Sequence, residues 1–169
     1  MDAQQAAFLA QQSTGVWQWE SNATAAVLAA VPNDKRDYKP DAKSRTAWEV
    51  ATHIVASDLW YLDSIVNGAF AWDPDGEKRV LAACADVNAL VAYYKAELPK
   101  RLDKVRAMSG EALATNIDFF AVMKQPAAAC IASGCNHSVH HRAQLGTYLR
   151  SMGSKVPAIY GQSADTPMA

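Results

Sequence analysis

Apolar and polar positions recur at three-to-four spacing over most of this chain, in four long stretches separated by short runs rich in proline, glycine, asparagine and aspartate. The first stretch runs from about Ala3 to Ala30, with Phe8, Gln12, Gly15, Trp19, Asn22 and Ala26 on one face. The segment VPNDKRDYKPD at 31–41 breaks it. Ser44 suits the N-cap of a second helix that carries Trp48, His53, Leu59, Trp60 and Leu62 and ends near Asn67 and Gly68. After a turn at 71–77, a third helix is predicted from Lys78 to Met108. Its stripe is Val80, Cys84, Val87, Val91, Tyr94, Leu98, Leu102 and Val105, and Pro99 predicts a kink or break at Leu98. Residues 109–125 fit a short extended piece or a short helix, and the pattern does not choose. Pro126 can open a fourth helix that runs to Met152 and stops at Gly153. The tail, 154–169, is too polar and proline-broken to be another. The expectation is an all-α fold: a four-helix bundle with a short C-terminal tail packed on it, as one domain over 1–169.

Composition narrows the function classes. Of 169 residues, 16 are basic and 17 acidic, so no strong field draws in nucleic acid or an anionic membrane. The densest basic run, Lys95 to Arg106, is interrupted by Glu97 and Asp103 and reads as a solvated face. No apolar run approaches the roughly 20 residues of a membrane span, and the first residues carry no basic signal-like region. Cys84, Cys130 and Cys135 form neither a CxxC pair nor an even disulfide set, which suits a reducing cytoplasm.

The chain has only four histidines, and three of them fall in GCNHSVHHRAQLGTYLR at 134–150. His137 and His141, four residues apart, project from one helical face about 6 Å apart along the axis, a spacing that lets two imidazoles share a metal ion. His140 lies about 100° round the helix and points elsewhere. Cys130, Gly134, Leu145 and Tyr148 share the face of the pair, so the pair looks into the bundle. His53 has Val50, Ala56, Ser57 and Trp60 near its own face. Facing helices of a bundle are a common place for a metal site. Spacing alone does not place His53 opposite the pair, and the alternative is core histidines each satisfied by a hydrogen bond.

HSVHHRAQLGTYLRSMG followed by VPAIYGQSAD resembles the end of the DinB/YfiT-like superfamily, bacterial four-helix bundles that hold a divalent metal on three histidines. The family pattern has one histidine on the second helix, commonly followed by Ile or Leu, matched by His53 and Ile54. It then has H-x-x-x-H-R-x-Q-L, matched by His137, His141, Arg142, Gln144 and Leu145. Tyr148, Leu149, Arg150, Pro157, Tyr160 and Gly161 match the rest. Ala143 departs from a frequent glycine. The match spans roughly residues 44–165.

The resemblance implies that His53, His137 and His141 are the metal ligands. Three neutral imidazoles would leave open positions for an anion, as in catalytic rather than structural sites. Zinc and nickel suit imidazole best, and iron or manganese remain compatible. Among relatives, some are thiol-dependent S-transferases or isomerases and others have been treated as metal-dependent hydrolases. The reading favoured here is activation of a low-molecular-weight thiol for transfer. The alternatives are a hydrolase using metal-bound hydroxide and a metal- or ligand-binding stress protein without turnover. Glu49, one turn before His53, is the candidate base or partner of a ligand, against a surface pair with Arg45. Gln144 is the candidate that orients a ligand or water, against a role in helix packing. Cys130 reads as core, and Trp60 and Tyr148 as pocket walls or core. The resemblance also implies a homodimer.

Overall fold

The structure, a computed structural model, describes residues 1–167. It is mainly helical. Helices α1 (Ala3–Ala29), α2 (Ala47–Asn67), α3 (Gly76–Ala83), α4 (Val87–Arg106), α5 (Gly110–Ala114) and α6 (Ala127–Leu149) are joined by loops, two 3-10 turns and one hairpin. The four long helices, α1, α2, α4 and α6, form the bundle. Helix α6 lies against both α1 and α2, and α4 packs against the same two. Large side chains such as Trp17, Leu28, Ile54, Leu62, Leu98 and Ile131 fill its centre. Each gains about 1.5–3 kcal/mol by leaving water. Among the described residues no helix is long and apolar enough to cross a membrane.

The face of α1 that the pattern picks out is the wrong one for the core. Phe8 and Trp19 are exposed, and the buried face carries Ala6, Ala10, Thr14, Trp17, Ser21, Thr24 and Leu28. Small residues let α1 approach its neighbours closely, so size rather than hydropathy selects the inner face.

Helix α2 starts at Thr46, not Ser44. Thr46 accepts from the Glu49 backbone N–H, and Glu49 accepts in return from the Thr46 N–H, a reciprocal capping box. The predicted third helix is two helices that part at Cys84–Asp86, where the Asp86 side chain caps α4 by accepting from the Ala89 N–H. A strong cap starts a new helix there, whereas Pro99 stays inside α4 without ending it.

The undecided segment 109–125 holds α5 and most of an antiparallel hairpin of β1 (Asn116–Phe119) and β2 (Met123–Pro126), with Phe119 paired to Met123. Helix α6 begins after Pro126 and continues through a 3-10 turn to Gly153, whose left-handed φ of 78° ends it. The tail packs back on the bundle: Tyr160 stacks on Trp19, and the Ser154 hydroxyl donates to the Ala30 carbonyl. Of the tail, 168–169 lie outside the described residues.

Candidate metal centre

His53 on α2 and His137 and His141 on α6 converge. One ring nitrogen from each lies within 4.8 Å of the others, and the ring centroids are 4.5–5.3 Å apart. Four-residue spacing puts His137 and His141 on one face of α6, and the close packing of α2 on α6 brings His53 to them. Gly134, one turn earlier, permits that approach: a Cβ there would stand 2.5 Å from the Trp17 ring and 3.0 Å from Tyr61. His140 is exposed and outside the cluster, as expected.

The residues that follow each histidine, Ser138 and Arg142, lie about 100° round the helix and hold α6 in rotation. Ser138 donates to the buried Asp58 carboxylate at 2.8 Å. The Arg142 guanidinium, only 2% exposed, donates to the Glu20 carboxylate at 2.6 Å and to the Tyr160 hydroxyl at 2.6 Å. These bonds reach α1, α2 and the tail, and they fix the direction in which the two imidazoles point.

Two of the three rings have a partner on one nitrogen. His53 Nδ1 lies 2.6 Å from Glu77 Oε1 on α3, and the same oxygen accepts from Arg45 Nη1 at 3.2 Å. His141 Nδ1 lies 2.9 Å from Gln144 Oε1. A carboxylate and an amide oxygen can only accept, so both rings are Nδ1–H tautomers that keep the lone pair on Nε2, where His53 has the Ser57 hydroxyl at 3.4 Å. Nδ1 of His137 is buried and has no hydrogen-bond partner. Such an orphan is unusual in a folded interior, and an imidazole nitrogen without a protein partner fits a ligand set.

The electrostatics agree with a ligand set. Burial lowers the pKa of His137 to about 4, and His141 and His53 push it the same way. Burial also lowers those of His53 and His141, against the upward pull of Glu77 and Gln144 respectively. Glu77 is itself lowered: burial works to raise it, but His53 and Arg45 outweigh that. All three shifts favour the uncharged ring, which is the form that binds a cation.

Gln144 therefore touches the cluster, while Glu49 does not. Glu49 is exposed, closes the cap at Thr46, and makes no ion pair with Arg45. Glu77 is the carboxylate that sequence reasoning missed. The signal was the DPDGE turn beside a short amphipathic helix, hidden when α3 was read as the start of a longer one. Cys130 is fully buried in the core. Tyr148 meets Gln144 and Tyr38 instead of walling a pocket.

His53 and His137 open onto a cavity of about 640 Å³, where Glu77 and Arg45 stand with them and Trp60, Tyr61, Trp72, Phe119 and Phe120 make the other walls. That volume is within the range of small-molecule sites.

Comparison with known proteins bears on this arrangement. The profile of a family described as the DinB family matches residues 4–167. No curated protein matches the chain. Among solved structures, a DinB-like protein from Bacillus subtilis is 24% identical with a TM-score of 0.68, covering 86% of this chain and 95% of its own. A DinB-like protein from Bacillus cereus is 20% identical with a TM-score of 0.72, covering 89% and 97%. A mutant of a mycothiol-dependent maleylpyruvate isomerase is 13% identical with a TM-score of 0.47, covering 93% and 65%. The two Bacillus structures share the fold.

Proposed function

We propose that this chain, which belongs to the DinB family, holds one divalent metal ion on His53, His137 and His141 and is an S-transferase that activates a low-molecular-weight thiol. The observation that carries the proposal is the convergence of three neutral imidazoles, one with an orphaned nitrogen, beside a cavity large enough for a small molecule. The all-imidazole donor set suits zinc or nickel first and iron or manganese next. When bound, such an ion lowers the pKa of a thiol or a water that reaches it. The thiol substrate is taken from the family resemblance.

The protein's own groups have separate tasks. Glu77 and Gln144 each accept the Nδ1 proton of one ring, which fixes its tautomer and orientation. Arg45 holds Glu77 in place and brings positive charge to the rim. The aromatic walls keep water from the reacting sulfur. In the transfer a sulfur–carbon bond forms, the leaving group departs with its bonding pair, and the thiol proton passes to solvent. We place the protein in the cytosol as a homodimer. That compartment suits its three free, buried cysteines.

Elemental analysis of untagged protein beside a His137→Ala variant tests the site. About one divalent ion per chain in the parent, lost in the variant, is the expected result, and a parent that takes up neither zinc nor nickel would sink it. Turnover of an electrophile that requires both metal and added thiol then supports the transferase. Ester hydrolysis without thiol would point to the hydrolase, and ligand binding without turnover to a stress-related binder.

A further inference from the structure

The cavity beside the histidines is divided by chemistry. Both of its carboxylates are already engaged, Glu77 with His53 and Arg45, and Asp73 with Arg79. The rest is ring surface. Trp60 donates its indole N–H to the Ala71 carbonyl at 2.9 Å, which ties it to the segment that carries Trp72, and both rings line the cavity. The Phe120 ring lies almost parallel to Trp60, at 6° and 6.4 Å between centroids. The Phe119 ring stacks on Tyr61 at 10° and 5.8 Å. Trp72 and Phe120 remain 77% and 46% exposed, so two large apolar side chains stand in water at the opening.

The hairpin turn that carries Phe120 is strained. Phe120 and Ala121 both have left-handed φ, 51° and 59°, and the Val122 N–H closes the turn on the Phe119 carbonyl at 2.9 Å. Two successive left-handed residues make a turn that ordinarily takes Asn-Gly. A bulky ring at such a position is an outlier. Folding gains little from it, because the ring is half exposed. Strain held at residues that line a cavity points to a role there.

We infer that this cavity binds the aromatic body of the second substrate, the electrophile, with Phe120 and Trp72 as specificity-determining residues. The inference deepens the transferase reading and rests on it for the word electrophile, but not for the binding itself. Cross-oriented aromatic walls favour an aromatic ring over a saturated one of equal size through stacked and edge-to-face contacts.

The probe is 2-naphthol, a neutral aromatic, titrated calorimetrically into the full-length protein as purified and again after chelation, beside its saturated counterpart decahydro-2-naphthol. The parent is expected to bind one 2-naphthol per chain, several-fold more tightly than the saturated alcohol, in both metal states. Replacing the turn by its usual residues, Phe120→Asn with Ala121→Gly, is expected to weaken 2-naphthol about ten-fold while raising the thermal midpoint. Trp72→Ala, an exposed position, is expected to weaken it likewise and keeps the test valid should the double variant misfold. Equal affinity for the two alcohols, or unchanged 2-naphthol binding in a folded variant, overturns the inference. Aromatic binding by a chain that takes up no metal leaves the aromatic site standing and removes the transferase, and with it the assignment of the aromatic as electrophile. Metal uptake without aromatic binding removes only this inference.

Discussion

Glu77 and Gln144 play the same part for two different rings, and they differ in charge. Gln144 orients His141 with a neutral oxygen at 2.9 Å, whereas Glu77 holds His53 with a carboxylate at 2.6 Å that also anchors Arg45. A carboxylate behind an imidazole raises its basicity, and losing such a partner typically weakens metal binding about 10–100-fold. Glu77→Ala is therefore expected to lower metal affinity by that factor in competition with a chelator, with Glu77→Gln in between. Glu49→Ala should leave affinity unchanged and cost only about 0.5–2 kcal/mol of stability through its cap. A Glu77→Ala protein that holds metal as tightly as the parent would remove Glu77 from the site. Of this constellation, the pair on α6 was legible because four-residue spacing is local information. His53 needed the family pattern, since nothing in its own segment says which helix it meets. Glu77 was hidden, because it lies 24 residues from its partner and its short helix was merged with the next.

At the scale of elements, Asp58 joins three helices. It sits on α2, fully buried, and one of its oxygens accepts from Tyr94 on α4 at 2.7 Å and from Ser138 on α6 at 2.8 Å. Burial pushes its pKa up to about 7, against the downward pull of Tyr94, Ser138, Trp17 and Arg142. The Trp17 N–H and the second Asp58 oxygen lie short of hydrogen-bond geometry, and both are left without a partner. The sign follows from linkage. Between the ordinary value of 3.8 and about 7, the folded chain keeps a proton that the unfolded chain releases. The stabilisation from this group is therefore complete below that ordinary value and is lost as pH rises through the folded one. Urea midpoints measured from pH 5 to 8 should fall in the parent relative to Asp58→Asn, and the difference should level off above neutrality. Parallel profiles would mean that Asp58 stays ionised in the fold. Such ties between helices leave little trace in a sequence. The helices themselves were legible from period and caps, yet the break between α3 and α4 was misplaced to Leu98. The proline rule is strong, but the cap at Asp86 decides where a helix restarts.

For the whole molecule, the apolar face that α1 turns to solvent needs an explanation that the single chain does not provide. Phe8, Val16 and Trp19 are 67%, 54% and 58% exposed, and Phe8 and Trp19 belong to the face that the three-to-four spacing marks. The spacing puts Phe8 and Trp19 on one face with Gln12, Gly15 and Asn22, and periodicity alone does not say whether such a face meets the core or solvent. Trp19 is braced from behind by Tyr160, which Arg142 and Glu20 hold in turn, so the face is rigid where the tail crosses it. A pre-ordered apolar surface of this kind favours association, since little side-chain freedom is lost on contact. A two-fold pairing would set α1 against its own copy, and one charge placed in that seam appears twice at close range. Sedimentation should therefore show a dimer for the parent and a monomer for Phe8→Glu. The variant's helical content and metal uptake should be unchanged, because Phe8 touches neither the core nor the histidines. A parent that sediments as a monomer would dismiss the pairing, and a dimer that survives both Phe8→Glu and Trp19→Glu would move it to another face.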